Sequence, residues 1–186
     1  ILMDDNFSTI VDTIRDGRRI YDNIRKAVGY VFSIHIPIAL ASLLAPMLGV
    51  AAPALMLLPL HVMLLELIID PTCSIVLERQ PAEDDIMERP PRDPQAKILT
   101  AGLLLKSVVQ GLIIFAMSFG AYFITLDGNP ANAPVARSLG LTIIMFANLF
   151  LVQVNSSQHN FAVTTAKSLI HDKVMWAVNI ITIAGL

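Results

Sequence analysis

Apolar residues run almost unbroken through the first half of the chain. No Lys or Arg occurs between Lys26 and Arg79, and the only acids in that interval before Glu78 are Glu66 and Asp70. At about 1.5 Å per residue this stretch is more than twice the ~30 Å hydrocarbon thickness, so it is expected to cross a bilayer twice. The turn falls at Gly49 to Pro53, which places span one at 28 to 48 and span two at 54 to 77. Ser107 to Leu126 holds no charge and predicts span three, with a start as early as Leu99 if Lys106 snorkels or faces protein. Asp127-Gly-Asn-Pro130 closes that span with turn chemistry. Ser138 to Val154 predicts span four. Val174 to Leu186 is an apolar run of 13 residues, too short to cross, so a fifth span is expected to be cut short. Upstream, Ile10, Ile14, Tyr21, Ile24 and Val28 recur near helical spacing among Asp12, Asp16, Arg18, Asp22 and Arg25, which predicts an amphipathic helix at 8 to 26 running straight into span one. Such a helix either lies on anionic lipid or acts as a rigid stalk.

Composition places the whole chain in the membrane class. Of 186 residues 55% are hydrophobic and only 15% charged, with a mean hydropathy of +0.66, against about 25% charged in a soluble domain. The expected fold is an all-α membrane protein, a polytopic transmembrane helix bundle. Cys73 is the single cysteine, which excludes an intrachain disulfide and a Cys-based zinc site. A net charge of −2 argues against a nucleic-acid partner. Basic residues alternate between loops: Arg15, Arg18, Arg19, Arg25 and Lys26 precede span one, the 49 to 53 turn has none, and the 78 to 97 loop has Arg79, Arg89, Arg92 and Lys97. Arg137 lies alone in the next loop, with Lys167 and Lys173 in the one after. The first, third and fifth of these segments are therefore expected on the cytoplasmic side. The start at Ile1-Leu-Met and the short final span predict a fragment of a longer chain.

An ionisable group inside a span costs about 2.5–3.5 kcal/mol on translocon scales, so it is a functional candidate. Span two has two, Glu66 and Asp70, at i and i+4 on one helical face where their carboxylates can converge. Pro71 follows, and lacking an N–H it leaves the Leu67 carbonyl without its helical donor. Two carboxylates beside a freed carbonyl suit a hard cation. In span one, Pro37 frees the Ser33 carbonyl in the same way, and His35 reads as a ligand, a proton-coupled gate, or a histidine bonded to a backbone carbonyl. Asn148, Gln153 and Asn155 offer neutral oxygens or polar contacts between helices. His61 is expected near the outer end of span two. Cys73 reads as a small hydrophobe rather than a thiolate ligand.

Two motifs carry a resemblance. Asp4-Asp5-Asn6-Phe7-Ser8-Thr9-Ile10-Val11 with Asp16-Gly17-Arg18-Arg19-Ile20-Tyr21-Asp22-Asn23-Ile24-Arg25-Lys26 resembles the exit from the phosphorylation domain into the fifth transmembrane helix of cation-transporting P-type ATPases. Asp85-Ile86-Met87-Glu88-Arg89-Pro90-Pro91-Arg92 resembles the loop after their sixth helix. The resemblance implies that the five spans correspond to helices five to nine of the transport domain. It implies a division into 1–7 (end of the phosphorylation domain and hinge), 8–27 (stalk helix), 28–77 (hairpin with the ion site), 78–97 (cytoplasmic loop docked on the phosphorylation domain) and 98–186 (remaining spans).

By the same resemblance the sixth helix unwinds near Pro71, Asp70 matches the family's acidic ligand, and Glu66 stands where calcium pumps of the sarcoplasmic-reticulum type have an asparagine. The fifth-helix asparagine and glutamate of those pumps are replaced by His35 and Ile38. Calcium takes six to eight oxygens, so Ca²⁺, Mg²⁺, Na⁺, K⁺ and H⁺ all stay open as cargo. A full-length pump of this kind would use ATP and Mg²⁺. DKTGT, TGES and the GDG-containing magnesium site are absent from these residues, so this chain alone is expected to hold no catalytic or cofactor-binding residue. Its partners would be the transported cation, the lipid bilayer and the amino-terminal helices and cytoplasmic domains of the same polypeptide, in a bacterial plasma membrane. The rival functions are a secondary cation transporter or channel, which predicts internal repeats, and a membrane anchor, which has no use for an acid pair and proline inside a span.

Overall fold

The computed structural model describes residues 6–93, 95–156 and 173–184. The first part of the expected hinge, Lys167 and the last two residues of the expected fifth span lie outside them. Helix α1 runs unbroken over Phe7–Met47, about 60 Å at 1.5 Å per residue. Asn6 starts it by accepting the Ser8 amide hydrogen at 3.0 Å, and Pro37 and Pro46 sit within it. Helix α2, Pro59–Pro71, continues without a gap into a wider π-helical stretch, Thr72–Leu77. Helix α3 spans Ala101–Leu126 behind a Thr100 cap, α4 spans Ala133–Asn155, and α5 spans Lys173–Ala184. Among the described residues there is no strand, and four helical stretches are long and apolar enough to cross a membrane.

Small residues decide how the helices meet. Gly29, Ser33, Pro37, Ala41 and Ala45 recur every fourth position of α1 and are all buried, a stripe that lets α3 approach closely. A Cβ on Gly111 of α3 would stand 2.7 Å from the Ile36 Cβ and 2.8 Å from the Ser33 carbonyl oxygen, so only glycine fits there. The Ser107 hydroxyl donates to the Gly29 carbonyl at 2.9 Å, and the Ser33 hydroxyl lies 2.9 Å from the Gln110 Oε1. Helix α4 closes against α3, with Gly140 beside the Ser118 carbonyl of α3 and the Met56 side chain from the segment before α2.

The helical part of span two begins at Pro59 rather than 54. Ala52–Ala54 instead form a single 3-10 turn and 55–58 an irregular segment, and side chains of other helices meet the carbonyls of residues 53–55. Tyr122 donates to the Ala54 carbonyl at 2.6 Å, and Arg137 donates to the carbonyls of Leu55 and Pro53 at 3.0 and 2.8 Å. Arg137 thus serves backbone satisfaction, a role its charge alone did not disclose. Helix α3 starts at Ala101 and includes an exposed Lys106.

The first half of α1 packs through its polar face. Its isoleucines, Ile10, Ile14, Ile20 and Ile24, are exposed, while Asp22, Asn23 and Lys26 are buried. They are buried because residues 78–93 fold back on α1 itself. Lys26 Nζ meets Glu83 at 2.8 Å, and Arg89 meets Asp85 at 2.6 Å and Asp22 at 2.7 Å. Asn23 donates to the carbonyls of Glu78 and Gln80, and Arg18 to those of Ile86 and Arg89. The Asp85 carboxylate, then Asp22, hold the Arg89 guanidinium charged above its ordinary range, with burial opposing them.

Candidate cation site

Glu66 and Asp70 lie seven and eleven residues beyond Pro59 on α2, about 10 and 16 Å along a helical stretch of about 28 Å. That places Asp70 near the middle of the apolar segment. The helix does not unwind at Pro71. It widens, with the Thr72 hydroxyl donating to the Ile68 carbonyl at 2.7 Å and the Ser74 hydroxyl to the Asp70 carbonyl at 2.6 Å. Hydroxyls next to the proline therefore meet carbonyls of the disturbed turn, and a π-helical turn absorbs the mismatch. The Leu67 carbonyl has lost its α-helical donor, because that donor would be the nitrogen of Pro71.

The acid of α2 meets the histidine of α1. His35 Nε2 is 3.2 Å from Glu66 Oε1, and His35 Nδ1 is 2.8 Å from the Val31 carbonyl oxygen. A carbonyl only accepts, so Nδ1 carries a hydrogen. Asp70 is exposed, one turn further along α2. Among the described residues no three His, Cys, Asp or Glu side chains gather closely enough to hold a metal ion. The structure thus brings His35 to Glu66 and leaves Asp70 on the open face of α2, beside Met63 and Leu67, which are 70% and 69% exposed.

Of the two freed carbonyls, that of Ser33 lies against Gly111 of α3, inside the α1–α3 contact. Asn148 is 2% exposed and accepts a hydrogen bond from Tyr30, which is itself fully buried. Its Nδ2 has no partner among the described residues. Gln153 is half-buried, and Asn155 donates to the Leu151 carbonyl at 2.9 Å. His61 acts as a helix cap, its Nδ1 accepting the Leu58 amide hydrogen at 3.2 Å. Cys73 is a free, half-buried thiol.

Two residues of this region escaped the sequence reading. Tyr30 joins α1 to α4, and Thr72 steadies the turn after Asp70. The signal available was a lone aromatic hydroxyl at the head of span one and a hydroxyl two positions beyond the acid. Neither says on its own which way it points.

Apolar helices packed through small residues, with ionisable groups inside one of them, define an integral, polytopic helical membrane protein. Its family is that of the cation-transporting P-type ATPases, to whose C-terminal transmembrane region the chain belongs: residues 54–186 match the family described as "Cation transporting ATPase, C-terminus". The chain is 32% identical over 152 residues, 82% of its length, to a calcium-transporting ATPase of Bacillus subtilis, of which this covers 17%. It is 29% identical over 150 residues to a probable cation-transporting ATPase F of Mycobacterium bovis, covering 81% of this chain and 16% of that protein. It is 32% identical over 149 residues to an endoplasmic reticulum-type calcium-transporting ATPase 4 of Arabidopsis thaliana, covering 80% and 14% respectively. The chain therefore spans about a sixth of the length of these relatives.

Proposed function

We propose that residues 1–186 supply part of the mid-membrane cation site of an ATP-driven cation pump, together with the stalk that couples this site to a phosphorylation domain. The observation that carries the reading is the acid pair on α2: Glu66 and Asp70 are one turn apart, directly before Pro71, at the middle of a span. A dehydrated cation needs oxygen ligands and compensating charge, and Asp70 with the Leu67 carbonyl offers both. Helices of the same polypeptide outside these residues would complete the coordination from the open face of α2.

Glu66 adds carboxylate oxygens to the cation, and His35, with Nε2 at 3.2 Å from Glu66 Oε1, is a positioning residue for it. The cargo is a hard or monovalent cation; calcium transport by the Bacillus subtilis and Arabidopsis relatives supports Ca²⁺ as the first to test. Force reaches the site along α1, whose 41 residues run without a break from the stalk past His35. ATP and Mg²⁺ would act on domains outside these residues, so the isolated chain should not hydrolyse ATP. A secondary transporter or channel would use the same acid pair but would not depend on a phosphorylated aspartate.

The test is cation-stimulated ATP hydrolysis by the full-length protein. Asp70→Asn keeps the size and removes the charge, and the expected result is loss of stimulation at every cation concentration. Glu66→Gln is expected to raise the half-saturating cation concentration or change the preferred cation. Wild-type stimulation in Asp70→Asn would show the site to lie elsewhere.

A further inference from the structure

A groove of about 700 Å³ lies between the stalk and the returning loop, outside the cation site and independent of it. Its walls carry Arg18, Arg25, Arg89 and Arg92, with Tyr21 and Pro91 as flat surfaces and Asp22 as the single carboxylate. Arg89 pairs with that carboxylate at 2.7 Å and also with Asp85 and Glu83, which do not line the groove. None of the ion pairs among the described residues uses Arg18, Arg25 or Arg92. Arg18 is held by two backbone carbonyls, and Arg92 lies over the Tyr21 ring at 4.1 Å. The Arg25 Nε is buried and has no hydrogen-bond partner among the described residues.

A buried guanidinium nitrogen without an acceptor is unusual, since burying an unmatched charge-bearing donor is costly. The volume is that of a small-ligand site. Guanidinium forks match the paired oxygens of a phosphate, and arginine stacked on an aromatic ring is already oriented for such a contact. Arg25 is two residues before the uncharged run that begins at Ala27, so one end of the groove lies at headgroup depth. We infer that this groove binds a phosphate group, carried by an anionic phospholipid or by a soluble phosphate compound, with Arg25 and Arg92 as its ligands.

The test uses full-length protein in detergent and magnesium-free buffer, with two probes. Phosphatidylglycerol retention is counted against phosphatidylcholine by native mass spectrometry, and inorganic phosphate is followed by equilibrium dialysis. At least one probe is expected to bind, and Arg25→Gln with Arg92→Gln is expected to weaken that binding about tenfold or more. Preference for phosphatidylglycerol alone assigns a lipid headgroup, and binding of inorganic phosphate assigns a soluble ligand. Arg19→Gln removes a guanidinium paired with Asp16 and outside the groove wall, and should leave binding unchanged. Should the double Gln variant melt early, Arg25→Lys with Arg92→Lys keeps the charge and loses the fork, with an intermediate loss expected. The proposal is overturned if neither probe binds, if the Gln and Lys variants bind like wild type, or if Arg19→Gln weakens binding equally.

Discussion

Tyr30 and Asn148 show how much a single hydroxyl can hold inside an apolar bundle. Tyr30 is fully buried, and among the described residues its hydroxyl is the one hydrogen-bond partner of the Asn148 amide. Tyr30→Phe would leave both ends of that amide unsatisfied, at a cost of about 1–3 kcal/mol, measurable as a lower midpoint of thermal unfolding for the full-length protein in detergent. Asn148→Leu on the Tyr30→Phe background should recover part of this loss, because removing both polar partners is nearly neutral. Glycines behave differently according to what they face. A methyl at Gly111 meets the Ile36 Cβ and the Ser33 backbone, neither of which can swing away, whereas at Gly140 it meets the flexible end of Met56 at 2.6 Å. Gly111→Ala should therefore destabilise by about 1–3 kcal/mol, and Gly140→Ala by less, in the same melting experiment. The acids at Glu66 and Asp70 were legible in the sequence because a charge in an apolar run is conspicuous. The His35–Glu66 contact was not, since it depends on the rotation of α1 against α2, which no spacing within one helix fixes.

At the scale of elements, the stalk and the loop after α2 act as one clamp. The apolar stripe Ile10, Ile14 and Ile24 made α1 readable as a helix, but periodicity alone could not say which face would pack. The loop chose the polar face, because Asp22, Asn23 and Lys26 can satisfy its carbonyls and acids where isoleucines cannot. Arg89→Ala removes the shared partner of Asp22, Glu83 and Asp85, and it should expose the 78–93 loop to limited proteolysis several-fold faster. A group whose folded-state pKa is raised stabilises at every pH below its ordinary value. Arg89 therefore keeps its contribution through neutral and mildly alkaline pH and loses it only in strong alkali, so loop protection should be flat from about pH 7 to 9. Ile20→Pro, on the exposed side of α1, should break the stalk at a cost of about 3 kcal/mol or more while leaving the spans inserted. Transport per ATP is expected to fall in that variant, and an unchanged ratio would assign the stalk a passive role.

For the whole molecule, hydropathy predicts four complete spans and a fifth cut short, and among the described residues four helical stretches are long and apolar enough to cross a membrane. Hydropathy reads this well because a bilayer demands length and apolarity of each span separately. The irregular segment before α2 was not readable, because the carbonyls of Pro53, Ala54 and Leu55 are satisfied by Tyr122 and Arg137 from distant parts of the chain. Under the proposed function, helices outside these residues complete the cation site on the open face of α2, where Asp70 lies between exposed Leu67 and the wide turn. The most direct measurement of that claim is equilibrium cation binding to the full-length protein without ATP, across Ca²⁺, Mg²⁺, Na⁺ and K⁺, in wild type and Asp70→Asn. Saturable binding of at least one cation in wild type, lost in Asp70→Asn, is the expected result. Equal binding by both proteins would contradict a cation site at Asp70.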